Sequence, residues 1–150
     1  MKRIYSLLPL LGILLLLNSC GGKDNNVTVE PSAKDKILVS YPWKMSEVTD
    51  LTGQTISKEK LNLQTQYIPS MEIQFNAGNK VYAKDVTSQV LNGGTWYLIE
   101  DSKVLDIDII GFKGKFGVEE LTNSKMRLKS TMPVSGVDQE TIMVFAPVIK

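Results

Sequence analysis

Apolar and polar residues alternate one by one through most of the chain beyond residue 37. In MEIQF, Met71 to Phe75, the apolar side chains occupy the odd positions and polar ones lie between them. A period of two is typical of a strand with one buried face. We predict eight strands from this pattern and from short apolar runs: Trp43–Thr49, Met71–Phe75, Lys80–Val86, Thr95–Glu100, Lys103–Ile110, Lys115–Leu121, Lys125–Thr131 and Glu140–Ile149.

Turn-forming residues separate most of these strands. Asn76-Ala77-Gly78-Asn79 and Asn92-Gly93-Gly94 are examples. Because the connections from the second strand onward are short, neighbouring strands should pair as antiparallel hairpins. Such a sheet has two exposed edges unless it closes on itself. The sequence therefore favours an all-β, eight-stranded up-and-down barrel over a sandwich.

The first connection, Asp50 to Ser70, is the exception, at 21 residues. Connections longer than about 12–15 residues are uncommon in compact domains and are often functional. Within it, residues 57–63 favour either one helical turn or an extra strand. We expect this loop to cap the barrel mouth as a lid, with Leu61, Leu63 and Tyr67 as its apolar contacts.

The N-terminus carries a targeting pattern. A basic start, Met1-Lys2-Arg3, precedes an apolar run from Leu7 to Leu17 that is shorter than the roughly 18 residues of a membrane span. It ends in Leu17-Asn18-Ser19-Cys20-Gly21, which resembles the lipobox of bacterial lipoproteins. The alternatives are a conventional signal peptide or an uncleaved anchor.

That resemblance implies cleavage before Cys20 and acylation of its thiol, so that Cys20 anchors the chain in a membrane. Residues 1–19 are then a signal peptide, residues 20–36 a polar, flexible tether, and residues 37–150 the barrel domain. Gly21 resembles the residue found in lipoproteins sorted to the outer membrane, so we expect a cell-envelope location there.

Charge excludes one class of partner. Removing Lys2 and Arg3 from the 17 basic side chains leaves 15 against 16 acidic ones. A near-neutral mature chain argues against nucleic-acid binding, which depends on positive charge.

The barrel region resembles the lipocalin-like domains of lipoproteins from Bacteroidetes-type bacteria. The resemblance is carried by Trp43-Lys44, by residues 75–82, 94–98 and 102–107, and by the late hairpin at 118–128. It implies a small calyx-like barrel.

Residue types exclude several kinds of catalysis. The chain has no histidine and only one cysteine, so Ser–His and Cys–His pairs and the common zinc sites cannot form. Ser57 to Lys60 matches Ser-x-x-Lys but lacks the companion motifs of penicillin-recognising enzymes. Asp106 and Asp108 alternate with apolar residues and should face solvent. We expect no catalytic residue, metal or cofactor; a carboxylate enzyme is the weakest hypothesis.

Binding is the leading hypothesis. An eight-stranded barrel is either filled by its own side chains or wide enough for one small ligand. The large inward side chains favour a mostly filled interior, and Arg127 should face outward, which favours a neutral apolar ligand over an anionic one. The competing hypothesis is an interaction module that presents its loops to an envelope protein or polysaccharide. Candidate ligand-contacting residues in the lumen are Phe75, Trp96, Leu98, Ile107, Phe116 and Met126.

Overall fold

Residues 31–149 form eight strands and two short helices in the computed structural model. The signal peptide, Cys20 and most of the predicted tether lie outside these described residues. Within them, no helix is both long enough and apolar enough to cross a bilayer. The helices are α1 (Ala33–Ser40) and α2 (Leu63–Tyr67), and 3-10 turns cover Lys58–Lys60 and Ile68–Ser70. The strands are β1 (Trp43–Thr49), β2 (Glu72–Asn76), β3 (Lys80–Lys84), β4 (Val90–Ile99), β5 (Val104–Ile109), β6 (Phe112–Leu121), β7 (Met126–Val134) and β8 (Val137–Pro147).

The strands close into an up-and-down barrel. Each strand pairs antiparallel with the next, and β8 returns to pair with β1 from Trp43↔Pro147 to Thr49↔Ile142. The predicted barrel is therefore confirmed, and the sandwich is not formed. Contact between β1 and β2 is brief, with Trp43↔Ile73 as the one registered pair in the described sheet.

Inward-facing side chains fill the barrel. Alternation along the strands sends one set of apolar residues into a single buried cluster. Its largest members with almost no exposed surface are Trp43, Phe75, Phe145, Leu38, Met71, Ile73, Leu105, Ile107, Ile109, Met126, Leu128 and Met143.

Strand β4 begins at Val90, five residues before the predicted start at Thr95. The predicted turn at Asn92-Gly93-Gly94 is wrong, because both glycines lie inside the strand. A Cβ atom on Gly94 would lie 1.8 Å from the carbonyl oxygen of Asp108, so only glycine fits where β4 approaches β5 this closely.

Helix α1 closes one end of the barrel, which we call the closed end. Its first turn takes in residues 33–36, which the sequence places in the tether. A capping box begins it: Ser32 Oγ accepts from the Asp35 N–H at 3.1 Å, and Asp35 Oδ2 accepts from the Ser32 N–H at 2.7 Å. Leu38 is fully buried, and its carbonyl accepts a 2.9 Å hydrogen bond from Trp43 Nε1. The sequence analysis did not predict this helix or its closure of the barrel end.

The opposite end, which we call the mouth end, carries the β3–β4, β5–β6 and β7–β8 turns. It also carries the long connection between β1 and β2, residues 50–71, which we call the mouth segment. The mouth segment contains a 3-10 turn, α2 and a second 3-10 turn rather than an extra strand.

Candidate functional site at the mouth end

Exposed apolar side chains concentrate at the mouth end. Of the ten large apolar residues that are exposed among residues 31–149, two lie elsewhere, Tyr97 and Ile149. Scattered exposed apolar residues are ordinary, but a cluster at one end marks an interaction or ligand site. The eight mouth-end members are Leu51, Leu63, Tyr67, Val86, Val90, Leu91, Ile110 and Val137.

Two of them sit on turns of the same design. Asp50-Leu51-Thr52-Gly53-Gln54 and Asp85-Val86-Thr87-Ser88-Gln89 share the pattern Asp-aliphatic-Thr-small-Gln. In each turn the aspartate Oδ1 accepts from the threonine N–H at 2.8 Å and from the glutamine N–H at 2.9 Å. The fourth residue has a positive φ, 89° at Gly53 and 68° at Ser88. These twin turns hold Leu51 and Val86 outward.

Hydrogen bonding also affects the charge state of both aspartates. The hydroxyl of Thr52 donates to Asp50 Oδ1 at 2.6 Å and, with the Gln54 N–H, lowers the pKa of Asp50 below its usual 3.8. The Thr87 hydroxyl, at 2.7 Å, lowers the pKa of Asp85 in the same way. The twin turns are therefore built on ionised carboxylates.

An apolar groove lies between α2 and the neighbouring strand ends, and we call it the mouth groove. Its volume is about 610 Å³, within the range of about 300–1,000 Å³ that is usual for small-molecule sites. Its lining contains no charged side chain. The lining residues are Leu63, Gln64, Tyr67, Met71, Leu91, Asn92, Ile110 and Gly111.

The mouth end also contains two buried side-chain oxygens that lack a hydrogen-bond partner among the described residues. Asn92 Nδ2 donates to the Ile110 carbonyl at 3.3 Å, which orients the amide. Its Oδ1 and the buried Thr49 Oγ1 have no hydrogen-bond partner among the described residues. Such atoms cost free energy, so the mouth end is not optimised for stability alone.

The three predicted lid residues have different surroundings. Leu61 is buried, forms a β-bridge with Val134 and so attaches the mouth segment to β7. By contrast, Leu63 and Tyr67 are 84% and 58% exposed, and both line the mouth groove. The structure brings Leu63 and Tyr67 together in the groove and places Leu61 outside it, at the attachment to β7.

The predicted lumen residues lie in the wall and core. Phe75, Trp96, Ile107, Phe116 and Met126 are all buried in the cluster that fills the barrel. Leu98 is half-buried and packs against that cluster. None of the six lines the mouth groove.

A second groove, of about 500 Å³, lies at the closed end between α1, the β2–β3 turn and the end of β4. Trp96 and Leu98 contribute to its lining, but so do the charged residues Asp35 and Lys36. Asp35 also serves the capping box. This groove is accordingly less suited to an apolar ligand than the mouth groove.

Carboxylates do not gather into a site in the described part of the chain. Asp108 is exposed and pairs with Lys113 at 3.0 Å, so it faces solvent as the alternation predicts. No group of three or more Cys, Asp or Glu side chains within residues 31–149 is placed to hold a metal ion.

Sequence reasoning missed Leu91 and Ile110, two walls of the mouth groove. Each follows another large aliphatic residue, Val90 and Ile109 respectively, at a strand end. In a half-buried strand such a doublet breaks the alternation and leaves apolar side chains outside: Ile110 at the end of β5, and both Val90 and Leu91 at the start of β4. That break is the signal that could have identified them.

No protein-family model and no curated protein sequence matches this chain. The resemblance to lipocalin-like lipoproteins therefore stays a prediction, and the fold rests on the strand topology alone.

Proposed function

We propose that this chain is a lipid-anchored lipoprotein of the cell envelope whose barrel binds a small, neutral, apolar molecule in the mouth groove. One observation carries the binding proposal: the exposed apolar side chains of Leu63, Tyr67, Leu91 and Ile110 converge on one uncharged groove. Covering apolar surface contributes roughly 25 cal/mol per Å², so an apolar ligand gains affinity there without any charged partner.

The proposal assigns binding rather than catalysis. The groove lining offers amides, one phenol and aliphatic groups, with no carboxylate, lysine or histidine to transfer a proton near neutral pH.

A fluorescence titration tests the binding site. The full mature chain carrying Cys20→Ser is titrated with phenylnaphthylamine, a neutral apolar fluorophore. We expect saturable enhancement, and Leu63→Ser with Ile110→Ser should weaken the affinity at least about tenfold, equivalent to ~1.4 kcal/mol.

Val137→Ser is the matched control, because Val137 is 68% exposed at the mouth end but outside the groove. Equal weakening by the control variant, or the absence of saturable binding in the parent chain, would contradict the proposal.

The anchor has a separate test. A Cys20→Ala variant produced in the native cells should leave the membrane fraction on carbonate washing, since no acyl chain holds it. A variant that remains membrane-bound would show that the anchor assignment is wrong.

A second candidate function is an interaction module for an envelope protein or polysaccharide. It is favoured by the twin turns, since Leu51 and Val86 are exposed and lie outside the mouth groove. Leu51→Ser with Val86→Ser should abolish a partner cross-link in native envelopes and leave phenylnaphthylamine affinity unchanged. Native mass spectrometry of the purified protein separates the candidates, because a bound small molecule supports the first.

A further inference from the structure

The mouth groove adjoins a second space of opposite chemistry. This space is a crevice of about 180 Å³ between β6 and β7, with α2 lying over it. The groove is lined mainly by aliphatic and aromatic side chains, whereas the crevice carries a set of hydroxyl, amide and ammonium groups. The polar residues that line the crevice are Asn62, Gln64, Thr65, Lys113, Ser130 and Thr131. An apolar space beside a polar one suits a ligand that has both kinds of surface.

Two stretches of chain run from the groove to the crevice. Along residues 63–65 of α2, the first residue lines the groove, the second lines both spaces and the third lines the crevice. Residues 110–112 at the β5–β6 turn follow the same order. The shared residues are Gln64 and Gly111, and a Cβ atom on Gly111 would meet nothing within 4 Å beyond its chain neighbours. The two spaces therefore meet at one border, where no side chain of Gly111 separates them.

The crevice contains hydroxyl groups with weak partners. Thr65 is 5% exposed, and its hydroxyl donates to Met132 Sδ at 3.8 Å, although sulfur is a weak acceptor. The Ser130 hydroxyl donates to the Thr131 carbonyl at 3.4 Å, longer than the about 2.5–3.0 Å that is usual for a hydroxyl donor. A ligand hydroxyl is a stronger partner for both groups, because it donates one hydrogen bond and accepts two.

The other polar groups of the crevice favour a neutral head. Asn62 Oδ1 accepts from the Thr65 N–H at 2.8 Å, so the Asn62 amide has its NH₂ group to donate. Among the described residues, Lys113 is the one charged residue that lines either space, and its ammonium group pairs with Asp108 at 3.0 Å. An anionic head would compete with this carboxylate, and a cationic head would find no carboxylate in the lining.

The inner side of the crevice limits the size and shape of the head. Phe116, Met132 and Met143 belong to the buried apolar cluster and line this side. The crevice volume of 180 Å³ is close to the ~150 Å³ of a cavity that holds benzene, and glycerol has as many heavy atoms as benzene. A polyol of this size places its CH groups on the apolar side and its hydroxyls on the polar side chains.

We infer that the ligand is a neutral amphiphile with one apolar chain and a small polyol head, such as an alkyl or acyl glycerol. The chain lies in the mouth groove against Leu63, Tyr67 and Ile110. The head crosses the border at Gln64 and Gly111 into the crevice. This inference rests on the proposed function and names its ligand class.

A competition assay compares two ligands that differ in the head alone. In the full mature Cys20→Ser chain, 1-O-octylglycerol and 1-octanol each displace phenylnaphthylamine from the groove. Octylglycerol should bind at least about tenfold more tightly, because its additional hydroxyls reach Thr65 and Ser130. Burial of apolar surface alone would not favour it, since octanol is the less polar molecule. Equal or tighter binding of octanol would overturn the inference and leave the proposed function standing.

The preference should disappear when the two hydroxyls are removed. Thr65→Val with Ser130→Ala deletes both, and the ratio of the octylglycerol and octanol affinities is measured within the variant. Thr55→Val is the matched control, because it makes the same change in the mouth segment, where the Thr55 hydroxyl donates to Glu47 at 2.6 Å outside both spaces. Retention of the preference in the double variant, or its loss in the control, would overturn the inference.

Methionine methyl NMR gives the orientation of the ligand without altering the crevice. In the Cys20→Ser chain, the glycerol protons of octylglycerol should show NOEs to the methyl groups of Met132 and Met143, and the end of its chain to Met71. Met45 and Met126 line neither space and are internal controls. The reverse pattern, or no NOE while phenylnaphthylamine still binds, would overturn the inference alone. The absence of both NOEs and phenylnaphthylamine binding would remove the proposed function as well.

Discussion

A short helix covers each end of the barrel, but the two helices differ in how much of their apolar surface is buried. At the closed end, α1 begins with a capping box, and Leu38 and Trp43 are fully buried and joined by a hydrogen bond. At the mouth end, α2 is a five-residue helix with Leu63 exposed, and it lies over a crevice of about 180 Å³ between β6 and β7.

This difference indicates that the closed end contributes mainly to the stability of the fold and the mouth end mainly to recognition. The closed end buries Leu38 and Trp43 and satisfies the Trp43 indole N–H, which is what a stable fold requires. The mouth end leaves apolar surface exposed and two buried polar atoms without partners in the described residues. Ligand-binding segments are generally drawn from the weakly packed parts of a fold.

The same substitution at the two ends gives the largest contrast. Leu38→Ala should lower the free energy of unfolding by about 2–5 kcal/mol, because it leaves a cavity beside Trp43. Leu63→Ala should change it by less than about 0.5 kcal/mol, because that side chain is 84% exposed. Urea unfolding followed by tryptophan fluorescence measures both. Similar losses from the two variants would contradict the contrast.

Removing the cap should have a smaller effect. Ser32→Ala removes the acceptor for the Asp35 N–H and should cost ~1 kcal/mol of stability. Ser32→Asn, which retains a capping oxygen, is the matched control and should stay close to the parent in thermal unfolding. If both variants unfold alike, the capping box does not contribute as described.

The smallest effect appears in acid. Because the pKa values of Asp50 and Asp85 are depressed in the folded state, their contribution is present above the usual value of 3.8 and is lost as pH falls through the depressed values. Asp50→Asn with Asp85→Asn should therefore lower the melting temperature slightly at neutral pH and show a shallower further loss below about pH 4, so that the variant and the parent converge in acid. Melting curves across pH measure this, and parallel acid profiles would exclude the turns as its source.

The barrel could be predicted because the alternation of apolar and polar residues within each strand shows which face of the sheet is buried. Met71, Ile73 and Phe75 each take the inward position that their parity assigns. Errors arose where a residue type has two uses. Gly93 and Gly94 indicate a turn by composition, yet both lie in β4, and at Gly94 the Asp108 carbonyl of β5 comes too close for a Cβ atom.

Helices α1 and α2 were harder to predict because a short helix contains too few residues to show a clear 3.6-residue periodicity. The Ser32-x-x-Asp35 spacing was the available indication of α1, and Leu38 becomes a core residue only when the barrel end is formed. For the site, the sequence identified Leu63 and Tyr67 through the length of their loop. It could not reveal that Ile110, from a distant turn, meets them in one groove.

The twin turns have a consequence for how this surface can change. Each turn is held by its own aspartate, threonine and backbone, and the side chains at positions 51 and 86 are exposed. Substitutions at these two positions therefore alter the surface while the turn geometry is retained. The mouth end can diversify in evolution at these sites, and in the laboratory the same two positions are attachment points for new binding specificities on an unchanged barrel.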